Sequence, residues 1–109
     1  MVITGATSIA ADSTSANLLA GDINEFLGRA AVISLFCTGS AVGLRAQLLV
    51  GQDVVIDDQT ISDANRFPIT PDDFLARGGG LPGDRLTLRF RNTTAGALTA
   101  EWRVAIESV

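Results

Sequence analysis

Residues 84–92 read DRLTLRFRN and residues 98–107 read LTAEWRVAIE, and in both runs apolar and polar side chains alternate. Leu86, Leu88 and Phe90 fall on one side, with Arg85, Thr87, Arg89 and Arg91 on the other. Leu98, Ala100, Trp102, Val104 and Ile106 repeat the pattern against Thr99, Glu101, Arg103 and Glu107. Successive side chains of a strand leave on opposite faces, so the spacing predicts two β-strands, each with one face on a core and one in water or on a partner.

How the two strands connect stays open at this level. In a hairpin, Leu88 lies opposite Trp102 and Arg89 opposite Glu101, closed by a loop from Thr93 to Ala97, and a backbone hydrogen bond joins Phe90 and Ala100. In a jelly roll the chain crosses between two sheets at this point, and both strands bury the same residues without pairing.

Outward from this stretch, Ala31 to Thr38 is apolar on both alternating sets, with Ile33, Leu35 and Cys37 on one side and Val32 and Phe36 on the other. Such a run predicts a central strand or one packed under a neighbouring subunit. Val42, Leu44, Ala46, Leu48 and Val50 alternate with Gly43, Arg45, Gln47 and Leu49 as a further strand, and a shorter one follows at Asp53 to Asp57. Asp57, Asp58, Ser62, Asp63 and Asn65 mark a polar loop leading to Phe67 and Pro68.

Thr70, Pro71, Asp72 and Asp73 have the order of a helix start: a capping hydroxyl, a proline at the first helical position and carboxylates at the positive end of the dipole. One short helix near residues 70–77 is expected, stopped by Gly78, Gly79, Gly80, Pro82 and Gly83, which form a flexible connection. Ser15 to Phe26 holds Leu18, Leu19 and Ile23 but is broken by Gly21, and reads as an irregular packed segment whose Phe26 and following Leu27 plug an end of the core. Met1 to Ser15 has a single charge, Asp12, and little to bury. It is expected to be an N-terminal arm ordered by contact with a neighbour. The chain thus divides into an arm, 1–15, and one all-β domain, 16–109, a small antiparallel β-sandwich of jelly-roll type.

The 109 residues suffice for one domain burying roughly 65% of the surface of the unfolded chain. Hydrophobic residues make up 47% and charged residues only 18%, against about 25% charged in an ordinary domain. Part of that apolar surplus is expected to lie against other subunits. No apolar run approaches the ~18 residues of a membrane helix, so no membrane partner is expected. The eight basic residues are all arginine, and the formal net charge of −4 argues against nucleic acid as a partner. No basic, long-apolar leader opens the sequence, which points to synthesis in the cytoplasm.

Candidate chemistry is sparse. Cys37 is the only cysteine and there is no histidine, so multi-Cys/His zinc sites are excluded, and with no lysine either, the usual nucleophile–base pairs are missing. Gly78 to Gly80 lacks the Lys and Ser or Thr of a phosphate-binding loop. The acidic pairs Asp57–Asp58 and Asp72–Asp73 supply too few oxygens for calcium. Trp102 shares the phase of Leu98, Val104 and Ile106, which makes it a core residue rather than a sugar-stacking platform. No enzyme activity, cofactor or metal is expected. The candidate functional surface is the outward arginine stripe Arg85, Arg89, Arg91 and Arg103, read either as a solvated face with cross-strand partners such as Glu101, or as an interface meeting Asp57, Asp58 or Asp63 of another subunit.

The closing stretch GDRLTLRFRNTTAGALTAEWRVAIESV (83–109), with PDDFLARGGGLP (71–82) before it, resembles the final strands of small single jelly-roll bacteriophage virion proteins, those used as capsid, penton or decoration subunits. The resemblance implies a non-enzymatic structural subunit of a virion, made in the host cytoplasm, whose partners are further copies of itself and other virion proteins. The acidic balance favours an outer or vertex position. The alternative function is a carbohydrate- or peptide-binding β-sandwich module, which requires an exposed aromatic: Trp102, Phe67 or Phe74.

Overall fold

The computed structural model describes residues 2–22, 25–69 and 73–108. The alternating runs become strands, seven in all among the described residues: β1 (Val2–Ile9), β2 (Ala31–Gly39), β3 (Leu44–Val50), β4 (Asp53–Thr60), β5 (Phe74–Gly80), β6 (Leu86–Asn92) and β7 (Leu98–Ser108). They form two antiparallel sheets, ordered β1-β7-β2-β5 and β4-β3-β6.

The consecutive strands β6 and β7 lie in different sheets, so the connection from Thr93 to Ala97 crosses the sandwich. Phe90 is opposite Ala46, and Ala100 is opposite Thr7 on one side and Gly39 on the other. The hairpin pairing is therefore not formed. The free side of β6 is met instead by residues 13–18. Ser15 N–H donates to the Phe90 carbonyl (2.9 Å), Leu18 N–H to that of Leu88 (2.9 Å), and Asn92 N–H to that of Ser13 (2.8 Å). Two side chains complete the seam: Ser15 Oγ accepts from Phe90 N–H (3.0 Å) and Asn17 Oδ1 from Leu88 N–H (3.0 Å). With this segment in the place of an eighth strand, the path is the double-sheet winding of a jelly roll.

The two sheets close on one core. Ile33, Leu35, Leu48, Leu86, Leu88, Phe90, Ala46, Ala100 and Val104 are each 0% exposed, and Trp102 only 5%. The rings of Phe90 and Trp102 meet between the layers, centroids 5.9 Å apart. Trp102 lies against the backbone of β1, where a Cβ on Gly5 would fall 2.3 Å from its Cζ2. Glycine at this position is what lets the indole fit under the edge strand. Leu27 is buried at one end, whereas Phe26, expected beside it in the core, is 57% exposed.

Two expectations are corrected. Residues 2–9 of the expected arm are a strand of the chain's own sheet, held by β7 over eight consecutive pairs. The alternation was hidden because its inward set is Ile3, Gly5, Thr7 and Ile9, in which a glycine and a threonine stand where apolar residues would be looked for. The short helix expected near 70–77 is replaced by β5 from Phe74 onward; Thr70, Pro71 and Asp72 lie outside the described residues. Of the residues expected as a flexible link, Gly78, Gly79 and Gly80 end that strand, and at two of them the space a side chain would need is taken. A Cβ on Gly78 would come within 2.6 Å of Val55, and one on Gly80 within 2.4 Å of Leu27.

Candidate functional site

Strand phase places Arg45 and Gln47 of β3 and Arg89 and Arg91 of β6 on the outer face of the second sheet. There they line, with Thr14, Ala46, Asp57 and Asp58, a shallow hollow of about 280 Å³. The register of β3 on β4 shifts twice between Ala46 and Leu49, and Asp58 takes a left-handed backbone, φ 55°. A bulge of this kind re-aims a side chain. Here the Asp58 carboxylate reaches across β3 to Arg91, accepting from Nε at 2.8 Å and Nη2 at 2.7 Å. Arg45 Nη1 donates to the Asp58 carbonyl at 3.1 Å, and Gln47 Nε2 to Asp57 Oδ1 at 3.0 Å. The paired Arg91 guanidinium, with Arg45 adding a weaker attraction, holds the Asp58 carboxyl below the usual carboxylate range, and the same hydrogen bond raises Arg91. The Arg89 side chain makes no hydrogen bond or ion pair among the described residues.

The seven residues expected to share a surface do not all do so. Arg89, Arg91, Asp57 and Asp58 converge. Arg85 turns away to Glu25, donating from Nε to Oε2 at 2.6 Å. The Gly21 N–H first, and then Arg85, hold the Glu25 carboxyl below its ordinary value. Arg103 sits on β7, in the other sheet, with its Nε buried and unpartnered among the described residues. Asp63 lies in the loop between β4 and β5. Arg45 and Gln47, left out of the sequence-derived surface, belong to it, and the alternation of β3 already put them on the outward side.

The outer face of the first sheet is built differently. Gly39 N–H donates to the Ser62 carbonyl at 2.7 Å and Cys37 N–H to that of Asp73 at 3.3 Å, so Ser62 and Asp73 sit beside β2 in the plane of the sheet, past the end of its pairing with β5. Thr38 Oγ1 donates to the Arg66 carbonyl and so brings that part of the chain over the outer side of β2. The buried Asp73 carboxylate accepts from Ile69 N–H at 2.8 Å and Arg66 Nη2 at 3.1 Å. Phe36 meets Phe74 edge-on at 5.8 Å, and Arg77 lies over the Phe74 ring while donating to Ser34 Oγ at 3.2 Å. Phe67, Ile69 and Phe74 remain 46% exposed at this corner.

Cys37 is buried in the core. Burial, and secondarily the Asp73 charge, push its thiol from the ordinary 9.0 up to about 12, so it holds no reactive thiolate near neutrality. Among the described residues no group of three or more His, Cys, Asp or Glu is placed to hold a metal ion, and no helix is long and apolar enough to cross a membrane. No protein-family model matches the chain, and neither a curated protein nor a solved structure is significantly similar to it.

Proposed function

We propose that this chain is a non-enzymatic structural subunit that works by assembling with copies of itself and with other proteins, in the setting its sequence resemblance suggests, a phage virion built in the host cytoplasm. The observation that carries the reading is apolar surface in excess of what the fold uses. The sandwich completes its core from its own residues, yet Phe67, Ile69 and Phe74 at one corner, and Leu81 and Val42 elsewhere, stay 46–71% exposed. Grouped exposed aromatics on a small domain mark contact sites between proteins. Light scattering or native mass spectrometry of the purified chain at micromolar concentration tests it, with a defined oligomer expected; a chain that stays monomeric at high concentration overturns the reading.

The second reading, a carbohydrate- or peptide-binding module, draws on the exposure of Phe67 and Phe74, since Trp102 is in the core. Amide shift changes confined to these two residues, on adding an oligosaccharide or a peptide to a monomeric chain, would favour it over assembly.

A further inference from the structure

A sheet edge presents unpaired N–H and C=O groups, and stable proteins interrupt it with bulges, charges, proline or a covering segment. Among the described residues the two sheets have four edges, and three of them are interrupted. The edge strand β4 loses register with β3 twice and carries Asp53, Asp57 and Asp58. The edge strand β5 shifts register at Leu35/Phe36 and carries the charged Arg77. The edge of β6 is sealed by residues 13–18, two of whose side chains bond directly to its backbone.

The fourth edge has none of these devices. β1 reads VITGATSI, with no charge, no proline and five β-branched residues, and it follows β7 for eight pairs without a shift. No strand lies beyond it among the described residues. Val2, Thr4, Ala6 and Ser8 stand exposed on its outer face, and Ile3, half-buried, packs against the core from its inner face.

We infer that the β1 edge is the contact through which two copies of this chain join, pairing antiparallel about a twofold axis into one continuous eight-stranded sheet. The inference rests on the assembly reading above and specifies its surface. A second copy is the occupant that this edge suits, because β1 is the edge that can meet itself without like charges facing one another. Pairing through β4 would set its three carboxylates against their own copies, whereas β1 meets itself with no charge on either strand. A twofold contact is self-complementary, so an uncharged, regular strand satisfies it from both sides. The pairing supplies about eight main-chain hydrogen bonds.

Sedimentation velocity on the full chain, from micromolar to millimolar concentration, tests this beside the double variant Thr4→Lys with Ala6→Lys. Both positions are exposed, so the variant should keep its circular dichroism while it places four lysines together at the joined edge. The expected result is a wild-type dimer and a variant whose dissociation constant is weaker by about tenfold or more. A wild-type chain that assembles while the variant assembles equally well overturns the β1 contact and leaves the assembly reading standing. A wild-type chain monomeric throughout overturns both. Should the variant fold poorly, hydrogen exchange on the wild-type chain decides: amides within residues 2–9 must slow as concentration rises, and unchanged exchange there in an assembled sample overturns the contact.

Discussion

Two of the inner strands of this molecule, β2 in one sheet and β3 in the other, have opposite outer sides. β3 alternates strictly, with Leu44, Ala46, Leu48 and Val50 buried between half-exposed Arg45, Gln47 and Leu49, and its outer face meets water and ion pairs. β2 is buried on nearly every residue, Ser34, Phe36 and Thr38 of the outer set included. Both strands contribute equally to the core between the sheets. The difference lies in what is laid on the back: the chain at Arg66 and the side chains of Phe74 and Arg77 over β2, and, among the described residues, nothing comparable over β3. A strand covered on both faces is sealed against water and protons, whereas one open on its back exchanges ions freely.

Cys37, on the inward set of β2, gives the largest expected effect and tests the core side that the two strands share, against which their backs are compared. With a folded pKa of about 12 against an ordinary 9.0, the native state disfavours the thiolate. The sign follows from linkage: the contribution is fully present below about pH 9 and is lost as pH rises toward the folded value. At about 1.4 kcal/mol per pKa unit this amounts to ~4 kcal/mol by pH 12. The chain has no lysine, tyrosine or histidine, so no other side chain titrates in that window to blur it. Urea unfolding between pH 7 and pH 11 should show stability falling at the alkaline end in the wild type but not in Cys37→Ala. An alkaline fall of equal size in both would mean that the core side of β2 is open to water.

The cover itself is tested next. Asp73→Ala removes the buried carboxylate that accepts from Ile69 N–H and Arg66, leaving that amide without its acceptor, and should cost about 1–3 kcal/mol in urea unfolding. Asp57→Ala, on the open face of the second sheet, removes only an exposed bond to Gln47 and should leave the midpoint nearly unchanged. Equal losses from the two would erase the distinction between the faces.

The contrast between β2 and β3 was legible in the sequence as far as its strands go: AVISLFCTG is apolar on both sets and LRAQLLV on one. What covers β2 was not. Residues 61–69, ISDANRFPI, alternate with nothing, and they reach β2 through backbone groups of Ser62 and Arg66 that carry no residue-type signal. β5 was missed because glycine shows no phase, although Gly78 and Gly80 are set by the close approach of Val55 and Leu27. The crossing between β6 and β7 was undecidable, since hairpin and jelly roll bury the same side chains. Of the candidate surface, Arg89, Arg91, Asp57 and Asp58 came together as strand phase allowed. Arg103 did not, because the same phase holds on a strand of the other sheet.

The smallest expected effect lies on the open face and concerns Asp58. Its carboxyl titrates below the ordinary range because Arg91 donates two hydrogen bonds to it. A lowered folded pKa means that the contribution is present above the ordinary carboxylate pKa and is lost as pH falls through the folded value. The pair is exposed to solvent, so side-chain entropy and screening consume most of the attraction. Asp58→Asn should therefore barely move the urea midpoint at pH 7, flatten the acid-side decline below about pH 4, and reduce the salt dependence of stability. Asp58 also occupies the left-handed backbone at the β4 bulge, a conformation asparagine adopts as readily as aspartate, so this variant changes charge without straining the turn. A loss at neutral pH as large as that of Asp73→Ala would show that the arginine–aspartate cluster organises the second sheet as the covering segment organises the first, and the two faces would then differ in chemistry but not in structural weight.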